Sequence, residues 1–187
     1  MCGIAGFLDR SKDVQVLENM TCAIQRSGPD DSGIFFEDEV ALGHRRLSII
    51  DLSQAGHQPM LFEHLVIVFN GEIYNFKEVQ KELTDKGYNF QSSSDTEVVI
   101  KAFHCWGPEC ANRFIGMFAF AIYDKQEKAL TIVRDRAGVK PLYYYFKEGR
   151  FAFASELKSF KAYLTTGERE EINTNALSFF LSVGYIS

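Results

Sequence analysis

No stretch of about 20 apolar residues, the length a membrane-spanning helix needs, occurs in this 187-residue sequence. The N-terminus has neither a charged n-region nor an apolar h-region, so no secretory signal is expected. That favours the cytoplasm and reduced thiols. Long basic runs are missing and the net charge is −5, which makes nucleic acid and anionic membranes poor partners. Cysteine is scarce: Cys2, Cys22, Cys105 and Cys110 are the four. With His104 they do not form the paired spacing zinc requires, so no metal site is expected. Cys22, among Leu17, Met20 and Ile24, reads as a small core residue. There is no Gly-x4-Gly-Lys-Ser/Thr loop, so this stretch should not bind ATP itself. A papain-type Gly-Ser/Ala-Cys run is absent too, and none of His44, His57, His64 and His104 sits in a recognisable triad motif. Internal repeats and low-complexity tracts are also missing.

What is present is apolar mass. Hydrophobic residues make up 46% and aromatic residues 14%, with 17 Phe and 8 Tyr. That suffices for a substantial core in one domain, or two small ones, and suits sheets with wide apolar faces. Ile4, Ala5, Phe7 and Leu8 predict a buried strand. Residues 13–26 carry Val14, Leu17, Thr21 and Ile24 near helical spacing and predict an amphipathic helix that stops at the turn formers of 27–33. Strands are expected at 34–37 and 40–50, followed by a polar loop over 51–59. Residues 65–69 read as a strand covered on both faces, ending at Asn70-Gly71-Glu72. Asn75 with Glu78 forms a capping-box-like start for a helix with Phe76, Val79 and Leu83 inward, closed by Lys86-Gly87. A second helix carries Val98, Val99, Ala102, Phe103 and Trp106 on one side, and Pro108 opens a short further piece. Strands follow at 117–123, 129–134, 142–146 and 151–154, then helices at 155–164 and from Asn173 to Leu181. The pattern predicts two packed sheets flanked by helices.

The chemistry gathers at Met1-Cys2-Gly3-Ile4-Ala5-Gly6-Phe7. If the methionine is trimmed, Cys2 carries a thiol of ordinary pKa about 8.5 beside an α-amine of about 7.7–8.0. Nucleophile and base then belong to one residue, and the amine can activate the thiol directly or through one water. Gly3 and Gly6 are expected to leave room beside the thiol. A thiol that attacks a carboxamide needs oxyanion donors, which the Asn70 side chain and the Gly71 N–H supply if they sit at a strand end. An ordinary Asn-Gly turn is the other meaning of the pair. Arg46 has the planar fork to grip a carboxylate, and Asp95 and Glu72 the charge to hold an ammonium. Taken singly, each is more often a surface ion pair or a helix cap, and Asp95 before Thr96-Glu97 has the look of an N-cap. His44 reads as structural.

In order along the chain stand RSGPDDSG at 26–33, HRRLSIID at 44–51, FNGEIYN at 69–75, SDTEV at 94–98, GMFAFAIYD at 116–124, RDRAGVKPLYY at 134–144 and FASELK at 153–158. With the N-terminal segment, this set resembles the glutaminase domain of class II glutamine amidotransferases, which are N-terminal-nucleophile hydrolases, in their asparagine synthetase branch. Ser27 departs slightly from the branch pattern. The resemblance implies an α+β fold, the four-layer αββα sandwich. It implies Cys2 as nucleophile, Asn70 and Gly71 as oxyanion hole, and glutamine bound by Arg46, Leu47, Ser48, Ile49, Ile50, Asn70, Gly71, Glu72 and Asp95. Arg134, Asp135 and Lys140 match a family motif and are assigned a structural role around the turn at 138–141. The substrate implied is L-glutamine. No cofactor is expected in this stretch, with ATP and Mg confined to a C-terminal synthetase domain that takes the ammonia. Residues 1–164 are expected to form the glutaminase domain, and 165–187 the connection and the start of the next one. A homodimer is left open. Rival readings are an N-terminal-nucleophile amidase acting on another amide, and a non-catalytic docking or regulatory module.

Overall fold

The computed structural model describes residues 2–47, 56–164 and 173–184. Two antiparallel sheets lie face to face. The first has five strands in the order β2-β3-β1-β9-β8, formed by β1 (Gly3–Leu8), β2 (Asp31–Glu37), β3 (Val40–Arg46), β8 (Tyr143–Lys147) and β9 (Arg150–Ala154). The second runs β4-β5-β6-β7, from β4 (Met60–Phe62), β5 (Leu65–Ile73), β6 (Gly116–Asp124) and β7 (Ala129–Arg134). Helices α1 (Val14–Ala23) and α4 (Phe160–Tyr163) cover the outside of the first sheet, and α2 (Phe76–Asp85) and α3 (Asp95–Trp106) the outside of the second. This is the expected αββα sandwich.

Strand alternation explains the layering, because successive side chains of a strand point to opposite faces. On β1, Ala5 and Phe7 meet Leu17, Met20 and Ile24 beneath α1, while Ile4 faces the other sheet. On β5, Leu65, Ile67 and Phe69 meet the helices, and Val66 and Val68 meet Leu42 and Phe153 across the gap. The continuous apolar run of β5 is thus a strand buried on both faces. Burying such a side chain contributes about 1.5–3 kcal/mol, so three apolar layers in one chain make the fold.

Several local expectations are corrected. The first helix ends at Ala23, and a 3-10 turn (Gln25–Ser27) follows; Asp13 caps it, accepting from the Val16 N–H at 3.1 Å. Cys22 is exposed, because the inward stripe passes through Leu17, Met20, Thr21 and Ile24; Val14 also faces solvent. The space left by the missing Cβ of Gly6 is filled by the Phe153 ring and Ala41, and that beside Gly3 by Ile24 and Ser27, so neither opens room for the thiol. Strand β5 does not end at Asn70 but runs to Ile73, with Asn70, Gly71 and Glu72 opposite Ala119, Phe118 and Met117. Asn70-Gly71 is therefore not a turn. Asn75 makes no capping bond; its amide instead accepts from Ile115 N–H at 2.8 Å and donates to Arg113 C=O at 3.0 Å. Residues 155–164 hold a 3-10 turn (Leu157–Ser159) before the short α4. Helix α5 (Thr174–Val183) starts at Asn173, whose side chain accepts from Asn175 and Ala176. Residues 48–50 of the expected strand, the charged connection at 165–171 and the last three residues lie outside the described residues.

Candidate active site

The alternation that buries Ile4, Leu42, Val68 and Ala119 between the sheets continues along the same strands. One step further it presents Cys2, His44 with Arg46, Asn70 with Glu72, and Met117 to the same interior. Cys2, Arg46, Asn70, Glu72 and Met117 line a cavity of about 260 Å³ together with Leu47, Gly71 and Asp95. The packing that makes the core therefore also makes this cavity.

Cys2 is half-buried. Its Sγ accepts the Leu47 N–H at 3.4 Å and lies 3.7 Å from the Leu47 carbonyl, so the β3 terminus holds the sulfur at the cavity wall. Asn70 is buried, and its strand position turns the side chain into the cavity. At Gly71 a Cβ would come within 2.4 Å of the Met117 carbonyl and 2.7 Å of Phe118 Cα, so the tight β5–β6 approach requires glycine. Arg46 is buried; its charge helps, after a bond from His57, to hold the Asp31 carboxyl below its usual value.

Asp95 is the first residue of α3, not its cap. Ser94 is the cap, accepting the Thr96 N–H at 3.2 Å. The Asp95 carboxylate accepts the Ile73 N–H at 3.1 Å. Burial pushes its pKa up to about 6, the Glu72 charge adds to this, and bonds from Ile73 and Thr96 oppose it. No cation among the neighbours that set this value offsets the burial. Ser48, Ile49 and Ile50, expected to line the same pocket, lie outside the described residues.

A family model described as a glutamine amidotransferase domain matches residues 1–187. The chain belongs to this family. It is 38% identical, over its whole length, to a putative glutamine-hydrolysing asparagine synthetase 2 of Methanocaldococcus jannaschii, covering 40% of that protein. It is 40% identical over 85% of its length to the glutamine-hydrolysing asparagine synthetase B of Escherichia coli, covering 30% of it. The chain thus spans less than half the length of either relative. Among solved structures, a glutamine phosphoribosylpyrophosphate amidotransferase from B. subtilis superposes with a TM-score of 0.76 over 86% of this chain and 43% of its own, at 22% identity, a likeness of fold.

This amidotransferase domain has a larger concavity elsewhere. A groove of about 810 Å³ lies over β4 and the α2–α3 connection, and two of its charged groups pair with each other. Lys101 pairs with Glu97 there, and the Tyr88 hydroxyl lies 2.8 Å from His104 Nδ1. No thiol lines it. The smaller cavity has the Cys2 thiol together with the charged residues Arg46, Glu72, Asp95 and Lys140. Six of its lining residues, Gly56, Gln58, Phe69, Ser94, Met117 and Lys140, are not among the residues expected from the sequence. Gln58 hides in the polar loop, where nothing local marks it. Arg134 and Asp135 do hold their turn: Arg134 donates to the carbonyls of Lys140 and Gly138 at 2.7 and 2.6 Å, and Asp135 accepts from Phe118, Val139 and Lys140. Lys140, however, also lines the cavity. Among the described residues no helix is long and apolar enough to cross a membrane, and no cluster of metal-binding side chains occurs.

Proposed function

We propose that this domain hydrolyses L-glutamine to L-glutamate and ammonia through Cys2, once Met1 is removed. The α-amine of Cys2 takes the Sγ proton, directly or through one water, and the thiolate attacks the side-chain carboxamide. The Asn70 amide and the Gly71 N–H donate to the oxyanion. Its collapse expels ammonia, with the proton returned by the α-ammonium, and leaves a γ-glutamyl thioester. Water then adds to the thioester through a second oxyanion, releasing glutamate and the thiol. Arg46 grips the α-carboxylate and Asp95 with Glu72 the α-ammonium, while the backbone from Leu47 through Ile50 lines the pocket.

One observation carries this reading. The Cys2 thiol, Asn70 and Gly71 share a cavity with two cations, Arg46 and Lys140, and two acids, Glu72 and Asp95. That charge pattern complements a free α-amino acid and not an N-acylated amide. The volume of about 260 Å³ lies below the roughly 300–1,000 Å³ of pockets for drug-sized ligands, which suits a small metabolite.

The partial coverage of the asparagine synthetase relatives supports a further step. Residues 1–164 act as the glutaminase unit, and 165–187 lead to a C-terminal synthetase domain. There ATP and Mg activate a carboxylate, aspartate by default, to receive the ammonia. The test is an intact mass spectrum before and after a glutamine-analogue electrophile. The expected result is loss of the methionine mass and one adduct, mapped to Cys2, with ammonia released from glutamine by the unlabelled protein. A folded, processed protein that takes no adduct and releases no ammonia would overturn this reading, leaving the docking module or, if N-acylated amides are hydrolysed, the other amidase.

A further inference from the structure

Beyond Ile67 no described strand runs beside the β4-facing edge of β5. The ladder to β6 uses the even-numbered residues. Tyr74 N–H donates to the Ile115 carbonyl at 2.7 Å, and antiparallel alternation carries the same pairing to Glu72 opposite Met117 and Asn70 opposite Ala119. Phe69, Gly71 and Ile73 therefore turn their N–H and C=O groups to the open edge.

Side chains take the place of a strand there. Gln58 Oε1 accepts the Phe69 N–H at 2.6 Å, and Gln58 Nε2 donates to Thr96 Oγ1 at 3.1 Å in the first turn of α3. Asp95 takes the Ile73 N–H. His44, only 1% exposed, bonds the Phe69 backbone. That contact favours the protonated ring, so a ring N–H faces the Phe69 carbonyl, while Nε2 has no hydrogen-bond partner. An apolar side chain of similar size would avoid the unpaired Nε2, which is unfavourable when buried, and would lose that bond. Both polar groups of Phe69 are thus held by buried side chains from outside the sheet. The Phe69–Asn70 peptide is fixed at both ends, by His44 at its C=O and by the β6 ladder at its N–H. In the next planar unit the ladder holds the Asn70 C=O, and the Gly71 N–H points to the open edge.

We propose that His44 and Gln58 are positioning residues for glutamine hydrolysis, holding the Phe69–Gly71 segment so that the Asn70 amide and the Gly71 N–H stand where the oxyanion forms. This rests on the reading of Asn70 and Gly71 given above. Preorganised donors act on the transition state and not on ground-state binding, and misplacement by about 1 Å costs on the order of 10² in rate. The signature is a fall in kcat without a matching change in KM.

The test compares His44→Leu, His44→Asn and Gln58→Met in the intact protein. It reads glutaminase kinetics and, separately, the rate at which iodoacetamide alkylates Cys2, a displacement that needs no oxyanion hole. His44→Leu and Gln58→Met should each lower kcat by about 10- to 100-fold, with KM for glutamine within about threefold and alkylation at the wild-type rate. His44→Asn, whose amide N–H sits near the Nδ1 position, should recover kcat to within about threefold of wild type. If His44→Leu does not fold, Gln58→Met and the Asn variant carry the test. Unchanged kcat in Gln58→Met, or a fall in alkylation parallel to that in kcat, would overturn the positioning role. A wild-type protein with neither turnover nor Cys2 adduct would overturn the proposed function first, which keeps the two failures apart.

Discussion

Asp95 and Glu97 stand two residues apart on α3, 8% and 6% exposed, yet their carboxyls are driven in opposite directions. Burial pushes both up. At Glu97 the bond from Lys101 and further bonds from Ser92 and Gln91 overcome it, and the group sits below its usual range. Lys101 also donates to the Asn89 carbonyl and lies 4.6 Å from the Phe90 ring centroid, so the pair forms a closed cluster that ties the α2–α3 connection to the helix. At Asp95 only backbone N–H groups oppose burial and Glu72 adds a like charge, so the carboxyl rises to about 6. A buried acid with its own cation is architecture. One left with N–H donors and a second acid suits a cation that arrives with the substrate.

The contrast breaks most visibly at Glu97. Glu97→Gln leaves the Lys101 ammonium buried without its counter-charge, which costs about 3–5 kcal/mol. We expect a lower urea midpoint, with KM for glutamine little changed in protein that remains folded. Adding Lys101→Met should recover most of the loss, since a well-packed apolar pair replaces a buried ion pair at small cost. A midpoint that stays put in Glu97→Gln would mean that the other Lys101 contacts suffice.

Asp95→Asn acts in the other direction. The amide keeps an acceptor for Ile73 N–H and removes a charge that burial disfavours, so the urea midpoint should hold or rise. Losing the counter-charge of the substrate ammonium should lower kcat/KM about 10- to 100-fold, mostly through KM, consistent with roughly 1.5–3 kcal/mol for a charge-assisted hydrogen bond. A kcat effect at unchanged KM would take Asp95 out of ammonium binding.

These two acids also show what the amino-acid order could and could not reveal. The layered fold was legible because Leu65 to Phe69 read as a strand buried on both faces, and because Val98, Val99, Ala102 and Phe103 repeat at helical spacing. Of the residue types expected at the site, the strands bring Cys2, Arg46, Asn70 and Glu72, and the start of α3 brings Asp95, around one cavity. Their local settings were not legible. Asn70-Gly71 has the composition of a turn, yet Gly71 is glycine because Phe118 crosses against it at long range. Asp95 has the look of a cap, yet Ser94 does the capping. Gln58 reaches Phe69 and Thr96, 11 and 38 positions away, and no local window contains such a bond.

The smallest effect sharpens the contrast furthest, because pH acts oppositely on the two groups. Asp95 has an ordinary pKa of 3.8 and a folded value of about 6, so its contribution to stability is full below 3.8 and lost as pH rises through 6. Glu97 is held below 4.5; its contribution is present above 4.5 and lost as pH falls through the folded value. Between pH 4.5 and 6, Glu97 is already paired while Asp95 still keeps its proton. An arriving ammonium favours the Asp95 carboxylate, so glutamine binding in that window must displace the proton. Calorimetry on the Cys2→Ala protein, which binds without turnover, should show affinity falling about tenfold per pH unit below 6, with close to one proton released on binding. The Cys2→Ala, Asp95→Asn double variant should bind more weakly and with no slope there. A slope that survives in the double variant belongs to another group, and Asp95 would then be as structural as Glu97.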